Sequence, residues 1–250
     1  METLKAQNEE LKLSSEEKDA EIARLKKLLE EQNKRAMPII TFPAATKLNI
    51  SVKKLINDTD QQVAALKIIK EECNPLAILG FMDLSVEAEC FGAEIKVTDN
   101  EVPTVVGQLI EDEDDAQALK VPAVGSGRSQ LYIDAIKKTK AEIKDIPILG
   151  GCIGPFSLAG RLMDVSEAMI NCYEEPEMVH IVLEKATKFL IDYISAYKEA
   201  GADGILMAEP LAGVLSPVLA TEFSSTYVKK IVTAVQDENF MVVYHNCGNN

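Results

Sequence analysis

His245 and Cys247 stand two residues apart at the end of an apolar run, NFMVVYHNCG (239–248). If that run is a strand, residues two apart project to the same side. An imidazole nitrogen and a thiolate can then reach one metal ion together. Mixed nitrogen and sulfur ligation favours zinc over magnesium or calcium. Two ligands do not complete a site, and a buried histidine bonded to a carbonyl beside an inert cysteine accounts for the pair equally well. Glu209 follows the apolar stretch ILMA and precedes Pro210. A carboxylate there can act as metal ligand, as proton acceptor or as support for a ligand; its structural alternative is a salt bridge or helix cap. Asp83, after PLAILGFM, has the same range of roles. His180 lies in a helical pattern with no cysteine near it and reads as structural.

These residues need a scaffold that brings them together. Four apolar runs, 75–83, 146–154, 202–210 and 239–248, read as buried strands of a parallel sheet covered on both faces. PIITF (38–42) reads as a further edge strand. Helical patterns fill the gaps. Asp58 or Thr59 caps a helix over 60–73, Ser126 opens one over 127–143, and Pro176 starts a long one ending near Ala200 with Gly201 as its cap. In the long helix Val179, Val182, Ala186, Phe189, Tyr193 and Tyr197 form a stripe that reads as core. The acidic run EDEDD (111–115) reads as a solvated loop or helix start, not a metal site, and VGSGRS (124–129), which lacks a full GxGxxG, as a turn before a helix. Strand–helix alternation predicts repeated β/α units. In a (β/α)8 barrel, chemistry gathers at the C-terminal ends of the strands. Met82-Asp83, Gly154-Pro155-Phe156, Glu209-Pro210 and His245-Asn246-Cys247 all fall at such ends.

Residues 1–35 have a different texture, with no Gly, Pro or aromatic residue. Leu4, Asn8, Leu11, Ser15, Lys18, Ile22, Leu25 and Leu29 recur at heptad steps, and a self-associating coiled coil is expected. The formal net charge of −14 repels a phosphate backbone and argues against nucleic acid. The absence of Trp removes a stacking platform for single strands. Five cysteines with no CxxC pair fit a reducing compartment rather than a disulfide framework. The charged N-terminus and the lack of any span-length apolar run predict a soluble, cytoplasmic protein with no membrane contact.

FMDLSVEAECFGAEI (81–95), GCIGPFSLAGRLM (151–163), AGADGILMAEP (200–210) and VVYHNCGN (242–249) together resemble the uroporphyrinogen decarboxylase superfamily. Within it the GPF and HNC segments are most similar to the corrinoid methyltransferase branch, typified by methylcobalamin:coenzyme M methyltransferases. The resemblance implies an α/β fold, a (β/α)8 TIM barrel incomplete in this chain, over residues 37–250, with residues 1–36 as a helical coiled-coil extension. It implies zinc held by His245, Cys247 and a distant third cysteine, for which Cys73, Cys90, Cys152 and Cys172 are out of place. It implies a methylcobalamin-type corrinoid, free or on a corrinoid protein, as methyl donor and a small thiol such as coenzyme M as acceptor. Glu209 would be a further ligand or proton acceptor, and Asp83 would lie in the substrate cavity. Gly154, Pro155 and Phe156 would let substrate approach the backbone closely. Decarboxylation of a porphyrinogen is demoted, because residues 38–49 contain no Arg to neutralise its carboxylates. A pterin-accepting methyltransferase and a non-catalytic, coiled-coil-tethered assembly module are the other readings.

Overall fold

The computed structural model describes residues 35–40 and 42–248, together with 20, 22 and 24. The expected coiled coil therefore lies almost wholly outside the described residues. The chain divides between Ala36 and Met37, and the fold below belongs to the second unit.

Three helices open that unit: α1 (Ala44–Leu48), α2 (Val52–Ile56) and α3 (Thr59–Cys73). Asp58 caps α3, its carboxylate accepting from the Asp60 and Gln61 N–H groups. Strand β1 (Ile78–Leu79) follows, then α4 (Val86–Cys90) and an antiparallel hairpin of β2 (Glu94–Lys96) and β3 (Thr104–Val106). Next come α5 (Glu113–Ala118), α6 (Ser129–Glu142) and β4 (Ile148–Ile153). After β4 the helices α7 (Pro155–Met163), α8 (Val165–Glu174) and α9 (Pro176–Glu199) run in succession. Strand β5 (Gly204–Ala208), α10 (Pro217–Ala220), α11 (Thr226–Val235) and β6 (Met241–His245) complete the unit.

The four long-range strands pair in parallel in the order β1-β4-β5-β6. Every residue of β4 and β5 is buried, which explains their unbroken apolar sequences. One face meets the helices through Ile148, Cys152, Ile205 and Met207, and the large core also takes in the whole α9 stripe. The other face carries a smaller cluster of Ala77, Leu79, Leu149 and Leu206. These β/α units form part of a (β/α)8 barrel. Gly201, at φ +94°, ends α9 as its sequence predicts.

Three local expectations change. PIITF is not a strand: residues 38–40 carry no regular structure, and Ile39 and Ile40 are exposed. That segment pairs with no strand of the four-stranded sheet, and Pro38 has no N–H to donate to a ladder. The first strand shrinks to two residues, and Asp83, four residues past its end, enters a buried ion pair described below. Helix α6 starts at Ser129 rather than after Ser126. The Ser129 hydroxyl accepts from the Gly125 N–H and donates to the Ser126 carbonyl, stitching the turn before the helix.

Candidate active site at the strand ends

Strands β5 and β6 run side by side with Ala208 opposite His245. Glu209 therefore leaves β5 next to the end of β6, and its N–H donates to the His245 carbonyl at 2.8 Å. Its carboxylate is fully buried and accepts from the N–H groups of Phe156 (3.2 Å) and Ser157 (2.5 Å). Those are the first free amides of α7, because Pro155 has none and Gly154 supplies no side-chain cap. Glu209 thus caps a helix from a neighbouring strand. Burial pushes its pKa up to about 7, against the pull of the two amides.

Gly154 serves that contact. A Cβ there would overlap the Glu209 carboxylate. Glu209 makes a close approach to Gly154. Pro155 and Phe156 are buried behind it.

His245 and Cys247 do come together, by a different route from strand alternation. Strand β6 stops at His245, and Cys247 lies beyond it in a left-handed backbone conformation, φ +56°. The turn brings Cys247 Sγ to 2.7 Å from His245 Nε2, and both residues are exposed. The other described non-glycine residues at positive φ are Asn or Asp, which tolerate it. A cysteine there stores strain that surrounding structure must hold. Gly213 and Gly248 provide the hold: their backbones touch, so a Cβ on either would overlap the other. At 2.7 Å the two atoms are in hydrogen-bond contact, and they would part to about 3.5 Å to take two tetrahedral positions on a zinc ion. Among the described residues no group of three His, Cys, Asp or Glu forms a metal cage.

Asp83 is buried. It accepts from Ser85 N–H and hydroxyl, from Tyr132 hydroxyl (2.8 Å) and from Arg128. Arg128 also donates to Glu89 at 2.7 Å and to the Ser85 hydroxyl at 2.9 Å. Burial opposes the charge on Arg128, but Asp83 and Glu89 hold its pKa above the ordinary value. The neighbours Met82 and Ser85, not Asp83, line the adjoining cavity. Glu87 completes the cluster. One of its oxygens accepts from Ile153 N–H at the end of β4, and the other has no partner. Burial raises its pKa to about 7. Sequence reading missed Arg128, inside a turn motif, and Glu87, inside a helix. Their signal was complementary: buried carboxylates at strand ends require a cation from elsewhere.

His180 is structural, as expected. It stacks on Phe223 and its Nδ1 lies 2.7 Å from the Tyr227 hydroxyl.

A sequence model of the uroporphyrinogen decarboxylase (URO-D) family matches residues 25–250. The chain belongs to that family. A methylcobamide:CoM methyltransferase, MtbA, of Methanosarcina acetivorans is 33% identical over 172 residues, 67% of this chain and 50% of the relative. MtaA of Methanosarcina barkeri, with the same activity in its name, is 31% identical over 66% of this chain and 49% of its own. A uroporphyrinogen decarboxylase of Coxiella burnetii is 29% identical over 64% of this chain and 45% of its own. A solved methyltransferase structure from Methanosarcina mazei superposes with a TM-score of 0.78 at 26% identity. That superposition covers 87% of this chain and 66% of the other. The chain thus spans about half the length of the curated relatives it matches. Family members of both kinds are enzymes, and no described helix is long and apolar enough to cross a membrane.

Proposed function

We propose that this chain serves methyl transfer from a methylcobamide-type corrinoid to a small thiol such as coenzyme M. His245 and Cys247 would hold a zinc ion in part. The observation that carries the reading is that one exposed, strained turn at a strand end brings the imidazole nitrogen and the thiol side by side. Exposure leaves room for further ligands and for the thiol. The methylcobamide:CoM methyltransferases among the relatives support the corrinoid and the thiol.

Bound zinc supplies charge that favours the thiolate over the thiol, whose ordinary pKa is about 8.5. The thiolate would be the nucleophile, and the corrinoid, if bound, would supply the methyl group and keep the electron pair of the cobalt–carbon bond. The released proton needs an acceptor. Glu209 sits one residue past the partner of His245 and titrates near neutrality, at about 7. The two α7 amides keep it fixed. Gly154, Pro155 and Phe156 act by positioning Glu209, and Asp83 by positioning the loop after β1.

Porphyrinogen decarboxylation, the activity named for the Coxiella burnetii relative, is the second reading. The 38–49 segment lacks Arg, and its Lys47 is already paired with Glu72 at 3.0 Å. The carboxylates of a porphyrinogen would be short of counter-charge there.

The test pairs zinc content with thiol-dependent loss of methyl from methylcobalamin, followed by absorbance, on the chain and on Cys247→Ser. Bound zinc and turnover that both disappear in the variant support the reading. Equal zinc in the two proteins removes Cys247 from the metal site.

A further inference from the structure

Beside the loop after β1 lies a cavity of about 230 Å³, walled by Met82, Leu84, Val105, Ser85, Thr104 and Arg161. That is room for roughly seven waters at ~30 Å³ each. Arg161 sits in the last turn of α7 and is half-buried. Among the described residues it makes no hydrogen bond or ion pair. Arg128 nearby is the opposite case, neutralised by Asp83 and Glu89. In a chain of net charge −14, Arg161 is a cation without an acid partner, facing a small apolar cavity. The Thr104 hydroxyl is likewise without a partner among the described residues. Ser85 is committed to Asp83 and Arg128, so it contributes wall rather than donor.

A guanidinium's fork of N–H groups matches the oxygens of a carboxylate, sulfonate or phosphate, and low-dielectric walls strengthen the pairing. Few polar groups on apolar walls is the ordinary make-up of a small-molecule site. The alternative role of Arg161 is to complement the carbonyls at the C-terminus of α7. That role needs no cavity in front of the side chain.

We propose that Arg161 and Thr104, on the apolar floor of Met82, Leu84 and Val105, form a subsite for the anionic end of a small organic molecule. Its link to catalysis, as the seat of the acceptor's charged end, rests on the methyl-transfer reading. The subsite itself does not.

Calorimetric titration of the full chain with propanoate, ethanesulfonate and inorganic phosphate tests it. One probe or more should bind saturably at one site, and the three arms tell carboxylate, sulfonate and phosphate apart. Arg161→Gln should weaken binding about tenfold or more, the range for losing a charge-assisted hydrogen bond. Arg161→Lys should fall between the two. Val102→Trp, at an exposed position lining the same cavity, should block binding without touching the core. That variant keeps the test open should Arg161→Gln not fold. Arg35→Gln, exposed and outside the cavity, should bind as the wild type does. The proposal is overturned if no probe saturates, if Arg161→Gln and Val102→Trp bind as wild type, or if Arg35→Gln loses as much. Absent binding sinks the subsite and leaves methyl transfer standing. Intact binding with no transfer to any thiol does the reverse.

Discussion

At the scale of single residues, the site depends on carboxylates that burial keeps partly protonated. Glu209 and Glu87 both titrate near 7 when folded, against an ordinary 4.5. Between those values the folded chain holds protons that the unfolded chain has lost. Stability therefore falls as pH rises through that window. Two such groups predict a loss of about 1.3 kcal/mol each between pH 6 and 8, most of it below pH 7. Urea midpoints at pH 6 and pH 8 check this, with Glu87→Gln expected to remove about half the difference. Equal midpoints at both pH values would sink the assignment. A second prediction separates charge from shape. Glu209→Ala strands two buried amides of α7 and should cost about 2–5 kcal/mol, whereas Glu209→Gln retains an acceptor and should cost less. His245, Cys247 and Glu209 were legible in the sequence because they are reactive types at the ends of apolar runs. The means of joining them was not. It lies in a left-handed Cys247 and in two glycines, Gly213 and Gly248, far apart in the chain.

At the scale of elements, patterning was readable wherever burial was two-sided or strictly periodic. Strands β4 and β5 and the long helix α9 stand close to their expected bounds, whereas β6, expected to be buried on both faces, is a largely exposed edge strand. All six residues of the α9 stripe are buried. Phe189→Ala, at the centre of that stripe, should destabilise by about 3–5 kcal/mol in denaturant titration. The first strand was overread because its apolar letters continue after its ladder has stopped. Four residues past its end Asp83 pairs with Arg128 on the edge of α6, 45 residues later, a contact no local pattern announces. Arg128→Ala leaves a buried acid unpaired and should cost about 3–5 kcal/mol. A double variant with Asp83→Asn should recover part of that loss, because the uncompensated charge is gone. No recovery would show that packing, not charge, sets the cost.

At the scale of the whole molecule, the four-stranded parallel sheet leaves β6 as an edge, with Met241 and Tyr244 exposed. The barrel type was readable from strand–helix alternation and from the resemblance. The N-terminal heptad is a separate proposal: residues 1–35 drive self-association. Sedimentation with and without that segment checks it, and an unchanged number of chains per particle would sink it.

The strand order β1-β4-β5-β6 is also an order in time. Each strand is laid against one already made, so a chain leaving the ribosome can assemble the sheet as it emerges. The Glu209 cap can close on α7 before His245 exists as residue 245 of the growing chain. His245 and Cys247 thus arrive after β1, β4 and β5 have been made. A nascent chain is thereby spared an exposed thiol next to an imidazole until β4 and β5 can be buried.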